Sequence, residues 1–462
     1  MGPSLRPRSG CRQRAAGCSG PDHRRRRSAA DRTAPVSLHG GRPPRHVVIV
    51  GGGLIGLCTA YALLREGHRV TIIERDHLGA GAATGNAGEL TPQQVAPLAS
   101  PHTARDVLTG VLSSSSYLSI APSRLPQLAG FGTGFLLSST RRRRASSTRA
   151  LAQFSAAIFP ALDRMTDDGI DTSGGGRGYL MTCTDERELV AAHERYHARA
   201  AEGWGEAPGA VMRGEELRAH EPTLARGIGA GFLLPAERYL DPVTFVASLA
   251  QRIVQQGADV RTGIRATRVA DGASVVCRDA NGRESIITGD RIIIAAGAWT
   301  SPILRRSGIR AARIVSGKGY SYTVPVARMP RHLVHSIDRH CVVIPMNGRL
   351  RVVGMMEFDE RPDVFHPARL DVLTKAAKGL IVGADWDGRT EEWVGARPMT
   401  ADGMPVLGSP TGRPEILVAA GHNMHGLSLG PVTGELLSAL VAGRSPRVDG
   451  SPIDLGPFAL DR

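Results

Sequence analysis

The chain has 462 residues, 42% of them hydrophobic, with 57 Lys plus Arg against 43 Asp plus Glu, a net charge of +14. That is enough apolar chain for two or three domains around a sizeable core, and it excludes an intrinsically disordered protein. The charge is unevenly placed: residues 1–46 hold 11 Arg against Asp22 and Asp31, or +9, which leaves +5 for the rest and gives no reason to expect nucleic acid as a partner of the folded part.

Residues 1–45 read as a disordered Arg-rich tail, or as sequence upstream of the true start, in a chain whose 54 arginines against three lysines suit a GC-rich genome. Arg24 to Arg27 is not followed by the apolar run of a twin-arginine signal. No later segment reaches the roughly 18 apolar residues of a membrane span. A cytoplasmic protein is expected, with peripheral contact at the inner face of the membrane left open. Cys11, Cys18, Cys58, Cys183, Cys277 and Cys341 lack C-x-x-C spacing, so neither a metal site nor a disulfide framework is predicted.

The most informative stretch is His46 to Glu74, HVVIVGGGLIGLCTAYALLREGHRVTIIE. Val47 to Val50 reads as a buried parallel strand, and Gly51, Gly53 and Gly56 follow it in G-x-G-x-x-G register. Leu54 to Glu66 then reads as a helix stopped by Gly67, and Val70 to Ile73 as a second strand closed by Glu74. Each glycine has a task in holding a dinucleotide: Gly51 for the tight turn, Gly53 for approach of the pyrophosphate, Gly56 for close helix packing. Glu74 can accept from ribose hydroxyls but would repel a 2′-phosphate, which favours FAD or NAD over NADP.

Gly79 to Gly88, GAGAATGNAG, is a stretch poor in side chains that can pass close to a flat ring or a pyrophosphate. Leu90 to Ser139 shows no clean period, and its role is unassigned. Arg141 to Arg144 reads as a solvated helix start, and Ala150 to Met165 has helical apolar spacing. Tyr179 to Thr182 is a predicted strand, Asp185 to Glu202 an amphipathic helix, and Asp241-Pro242 opens a helix ending at Gly257. Strands around Val260, Arg268 and Val276 precede an Asn281-Gly282 hairpin. Arg291 to Gly297, RIIIAAG, reads as another buried strand beside the dinucleotide. From 312 to 358 the pattern alternates, predicting a separate antiparallel sheet, with a helix over Leu370 to Ile381. Arg397-Pro398 and Asp402 to Pro405 read as loops, Ile416 to Ala419 as a strand, and Val432 to Val441 as a helix stopped by Gly443. No second G-x-G-x-x-G follows a strand.

In order, VVIVGGGLIG, GNAGELTP with APLASP, IIIAAGAW, GKGYS, LRVVGMMEF and RPMTADGMPVLG…AAGHNMHGLSLGPVTGELL resemble the FAD-dependent D-amino acid oxidase superfamily, most closely its D-amino acid dehydrogenase small subunit group. The resemblance runs from about His46 to the C-terminus. It implies non-covalent FAD in an α/β fold: a Rossmann-like domain assembled from discontinuous segments, and a substrate domain with a mostly antiparallel sheet. The expected division is FAD-binding at 46–95, a helical connecting segment at 96–170, substrate domain at 171–237, FAD-binding at 238–311, substrate domain at 312–392 and FAD-binding at 393–462.

The resemblance also implies hydride transfer from substrate Cα to flavin N5. Cofactor contacts are expected at Gly51, Gly53, Leu54, Ile55, Gly56, Glu74, Arg75, Asn86, Ala87, Gly88, Ala296, Gly297, Gly421, His422, Gly426 and Leu427. Arg397 is the expected clamp on the substrate carboxylate, because related glycine oxidases use the arginine of the matching R-P segment, and its fork matches two oxygens. Tyr320 is a second expected substrate contact. Met424 and His425 stand where some glycine oxidases carry another arginine, which argues against glycine as the substrate. The expected reaction is oxidative deamination of a D-amino acid, or of a secondary amine such as D-proline or D-hydroxyproline, with a quinone or another acceptor taking the electrons. An oxygen-using oxidase of glycine, sarcosine or D-amino acids is the alternative; a non-catalytic flavoprotein binding a partner through its tail is the third.

Overall fold

The computed structural model describes residues 43–101, 103–104 and 117–462. The tail through residue 42, with Cys11 and Cys18, lies outside them, as do residues 105–116 of the unassigned stretch.

The apolar run His46–Val50 is a central strand of a six-stranded sheet ordered Val406–Gly408, Ile416–Ala420, Arg291–Ile294, His46–Val50, Arg69–Ile73 and Asp259–Arg261. Every pairing is parallel except that of Val406–Gly408. A parallel strand covered on both faces needs no polar side, which is why four apolar residues run together here. Val47 and Ile49 pack into one core with the helices Leu54–Arg65, Pro242–Gln255 and Gly426–Val441. Val48 and Val50 pack into another, against helix Thr300–Arg306 and a three-stranded sheet of Ile264–Ala270, Ser274–Asp279 and Glu284–Thr288. The first and last helices touch backbone to side: a Cβ on Gly434 would lie 2.4 Å from the Cys58 carbonyl oxygen.

The second sheet has ten strands in the order Thr390–Thr400, Ile314–Val324, Arg349–Phe358, Cys341–Met346, Leu333–Ser336, Gly176–Cys183, Ala230–Tyr239 and Glu89–Leu90, with Leu118–Ile120 and Met212–Arg213 attached at its side. It is mostly antiparallel; the parallel pairs are Leu333–Ser336 on Gly176–Cys183 and Leu118–Ile120 on Arg349–Phe358. Helix Ala368–Lys378 covers one face.

Three local readings change. Arg397-Pro398 is not a loop but part of strand Thr390–Thr400, which forms the sheet's edge, where a proline is tolerated. That strand continues in the second sheet to Thr400, beyond the expected boundary at 392, and Glu89–Leu90 joins the same sheet from within the first FAD-binding piece. The last helix starts at Gly426 rather than Val432, with Pro431 inside its second turn. In the unassigned stretch, helix Leu125–Ser138 precedes Arg141–Ser155, whose N-cap Thr140 accepts from the Arg143 N–H and so satisfies one of the helix's unpaired leading donors.

Candidate active site

A cleft of about 380 Å³ runs along the C-terminal end of the six-stranded sheet. Gly51 has φ +109°, and a Cβ there would lie 2.5 Å from the Ala295 carbonyl oxygen, so only glycine lets the chain turn this tightly against the next strand. A Cβ on Gly56 would lie 1.9 Å from the Gly51 oxygen, which is the close helix approach the motif predicts. Gly53 has no atom within 4 Å of its Cβ position and faces the cleft. The helix that follows has no side-chain cap and no acidic residue in its first turn, so its leading N–H groups and dipole are available to an anion. Glu74 accepts from the Gly52 N–H at 2.7 Å and the Asp76 N–H at 2.9 Å. The carboxylate expected at the ribose therefore also fixes the glycine turn. Arg75 lies 3.9 Å over the Trp299 ring and pairs with Asp76 and Asp363.

Of the sequence-predicted residues, Gly51, Gly53, Leu54, Ile55, Glu74, Arg75, Asn86, Ala296, Gly297, Arg397, His422, Gly426 and Leu427 line the cleft. Gly56, Ala87, Gly88 and Gly421 stand behind its wall. Gly88 closes its loop, donating its N–H to Asn86 Oδ1 at 2.7 Å while its φ of +71° brings it against Leu240. Gly421, at φ +75°, presses on Thr400. Next to it Asn423, also left-handed at φ +53°, accepts from the Thr400 N–H at 3.0 Å and donates to Gly421 O at 2.7 Å. Its own N–H donates to Pro398 O at 3.0 Å. These bonds fasten the loop before the last helix to the strand that carries Arg397.

Arg397 is half-buried on the cleft wall, and burial pulls its pKa down to about 10 although nearby Glu89 opposes this. It remains a cation at neutral pH. One nitrogen donates to Met355 O at 2.9 Å, and the guanidinium lies over Gly319, where a Cβ would sit 2.2 Å from Nη2. Among the described residues no carboxylate forms an ion pair with it. His422 is buried, its Nε2 3.1 Å from Thr433 Oγ1, and burial holds its pKa at about 3, so it is neutral.

The family model for FAD dependent oxidoreductases of the DAO type matches residues 46–440. The chain belongs to this family. It is 32% identical over 418 residues to D-amino acid dehydrogenase 2 of Pseudomonas aeruginosa, covering 88% of this chain and 97% of that one. It is 30% identical over 426 residues to D-amino acid dehydrogenase of Methylobacterium radiotolerans, covering 90% and 100%. Glycine oxidase from Geobacillus kaustophilus shares the fold, with a TM-score of 0.66 and 24% identity over 91% of this chain and 99% of that one.

As a FAD-dependent oxidoreductase the protein has FAD as its cofactor, and the cleft fits it on three observations. Gly53 leaves room for a pyrophosphate against bare backbone. The last helix, like the first, has an N-terminus without a side-chain cap or an acidic residue, so its dipole can face the negative charge that grows on a reduced flavin. His422 Nδ1 is buried in the cleft wall with no hydrogen-bond partner among the described residues. Sequence reading missed Trp299 and Asn423, which line the cleft. Trp299 was visible only as the end of IIIAAGAW, and Asn423 as a residue able to adopt positive φ.

Tyr320 is a correction. It follows Gly319 on a strand, so its side chain points to the opposite face from Arg397. There it is fully buried against helix Ala368–Lys378 and donates to Glu357 Oε2 at 2.5 Å. Burial and that carboxylate push its pKa well up. Lys318 on the same face is 0% exposed and binds Glu357 and Asp359, each at 2.9 Å. His366 Nδ1 lies 2.9 Å from Glu357 Oε1. Glu357, Asp359 and His366 are a possible ligand set by spacing, but the Lys318 ammonium already holds the cation position between the two carboxylates. Tyr320 belongs to this structural network and does not line the cleft.

Proposed function

We propose that the protein oxidises the Cα–N bond of a D-amino acid, or of a related secondary amine such as D-proline or D-hydroxyproline, giving an imine that water converts to a 2-oxo acid when the amine is primary. The observation that carries this reading is Arg397: a guanidinium sunk in the cofactor cleft, held by a backbone carbonyl and lacking an ion-pair partner among the described residues, is suited to an α-carboxylate. Bound FAD supplies the acceptor for the hydride that leaves Cα. The chain's residues supply orientation, with the carboxylate fixed by Arg397 and the arginine's strand tied to the cofactor loop through Asn423. The names of the dehydrogenase relatives support a D-amino acid over glycine, as does Met424 in the cleft wall.

In this reading the electrons pass to a quinone or another acceptor, with oxygen as the alternative, and the protein works at the cytoplasmic face of a membrane. No helix among the described residues is long and apolar enough to cross a membrane. Surface contact is supported by helix Leu125–Ser138, which contains no charged residue and exposes Leu125, Leu136 and Leu137. Arg141, Arg142 and Arg143 stand exposed just beyond it. Apolar side chains flanked by arginines match an anionic bilayer surface.

The deciding experiment is anaerobic bleaching of the flavin band by a panel of D-amino acids, D-proline, D-hydroxyproline, glycine and sarcosine, followed by a quinone or air. Bleaching by a D-substrate is expected, with recovery on quinone. Fast recovery in air would make the protein an oxidase, and an unbleached flavin throughout would reject the substrate class.

A further inference from the structure

Met355 holds a backbone conformation that L side chains avoid. Its φ is +66°, and it lies inside strand Arg349–Phe358, whereas the other described non-glycine residues at positive φ fall in turns, in loops or at a strand end. The strand pairing accounts for its place. Lys318 pairs with Glu357 and Tyr320 with Gly354, so the span from Gly354 to Glu357 carries one residue more than the span opposite it. On the other side, Cys341–Met346 pairs as far as Gly354, and Leu118–Ile120 takes over from Met356. Met355 is thus a β-bulge where the strand exchanges neighbours, without a ladder partner among the described residues.

A residue outside the ladder keeps its carbonyl for another donor, and here that donor is Arg397 Nη1 at 2.9 Å. The side chain turns the other way, into the core beneath helix Ala368–Lys378 with Tyr320, Leu370 and Leu373. Its Sδ lies 3.6 Å from Arg369 Nη2, which also donates to Tyr117 O at 2.9 Å. The Met356 N–H donates to that same oxygen at 2.9 Å. A buried anchor therefore holds the strained backbone in place. On the cleft side the Arg397 guanidinium is bounded by Met355 O at one nitrogen and by Gly319 beneath it. Neither Nε nor Nη2 has a hydrogen-bond partner among the described residues, so that edge of the fork stays open.

We propose that the bulge at Met355 positions the carboxylate clamp; the inference rests on the amine-oxidation reading above. The strained backbone aims a carbonyl at Nη1 and fixes the rotation of the guanidinium. That leaves the Nε and Nη2 edge, two parallel N–H groups, to meet both oxygens of the substrate carboxylate. Met355 is a positioning residue, acting through Arg397 without touching the substrate. An arginine held only by its stem samples many rotamers, and binding has to freeze them; one already held at Nη1 meets the carboxylate in place. Backbone strain of this kind persists only where the surroundings over-determine it, as the buried anchor and the guanidinium together do here.

The test compares Met355→Gly, Met355→Ala and Met355→Val with wild type, all FAD-loaded, using a substrate that bleaches the wild type. Anaerobic flavin reduction gives the substrate's apparent Kd and the limiting rate, and a thermal melt gives stability. Packing ranks Met355→Gly worst, because it removes the most side chain, and its melting temperature should be the lowest. The clamp ranks the variants differently. Glycine adopts φ +66° freely, so Met355→Gly should keep the wild-type Kd. Valine is forced out of that region and takes the carbonyl with it, so Met355→Val should raise Kd by roughly 10-fold, more than it lowers the limiting rate. Met355→Ala, small yet still disfavoured at positive φ, should raise Kd less, and it decides the case if Met355→Val does not fold. A rise in Kd that follows the melting temperature and is largest in Met355→Gly overturns the role of Met355 and leaves the function standing. So does an unchanged Kd in whichever of the Ala and Val variants folds. A wild-type flavin that no amine reduces overturns both.

Discussion

Arg397 is the residue on which most of the site's specificity rests. Replacing it with Ala should lower kcat/KM by about 2–5 kcal/mol of transition-state stabilisation, the usual scale for deleting one partner of a desolvated charge pair. Lys should lose less, keeping the charge without the two-pronged geometry. Steady-state kinetics on the bleaching substrate checks both, and unchanged kinetics would remove the clamp role. Arg397 was legible in the sequence because a motif surrounds it. The neighbouring inference failed for Tyr320 because strand residues alternate faces, and nothing in GKGYS tells which of Gly319 and Tyr320 faces the cleft. What decides it is the three-dimensional partner: a Cβ at 319 would collide with the guanidinium, while Tyr320 meets Glu357.

The first and last helices form the element pair that shapes the cofactor cleft, and Gly434 sets their separation. Gly434→Ala would place a methyl 2.4 Å from the Cys58 carbonyl, which backbone cannot absorb without moving apart. The expected cost is about 1–3 kcal/mol of stability, together with weaker FAD retention, because both helices present their N-termini to the cleft. Chemical denaturation and the flavin content of the purified variant measure the two effects; wild-type values for both would show that the helices do not pack this way. The first strand, turn and helix were readable because apolar period, glycine spacing and Glu74 agreed. The last helix runs from Gly426, through Pro431, rather than from Val432, although a proline in a helix interior removes a backbone hydrogen bond. The second turn of this buried helix keeps it, a tertiary override that propensity alone cannot reveal.

At the level of the whole molecule, acid stability and membrane affinity follow from the same coordinates. His335, His422 and His425 are held neutral by burial, with pKa values of about 4, 3 and 4 against an ordinary 6.5. Their folded values are depressed, so the stability they contribute is present above pH 6.5 and is lost as pH falls toward 4. Each steepens the decline by up to about 1.4 kcal/mol per pH unit. Denaturant melts of the holoprotein between pH 7 and pH 4 should show that slope, and His422→Gln should flatten it; a pH-independent stability would contradict the burial of these rings. For the membrane reading, the protein should co-sediment with anionic vesicles, less so with neutral ones, and Leu136→Glu with Leu137→Glu should abolish this without altering turnover with a soluble acceptor. Equal sedimentation of the double variant would exclude this helix as the contact.

The six-stranded sheet also sets a schedule for biosynthesis. His46–Val50 gains one neighbour, Arg69–Ile73, almost at once, but its other neighbour is Arg291–Ile294. At ribosomal rates of about 5–20 residues per second, that second edge waits on the order of tens of seconds. During this interval an apolar strand with an open edge is carried by the nascent chain, a template for aberrant pairing. Ile416–Ala420 and the helix that completes the cleft emerge later still. Cofactor capture is therefore tied to the end of translation, and a ribosome stalled before Ile416 should hold a chain that exposes this edge to chaperones and retains no flavin.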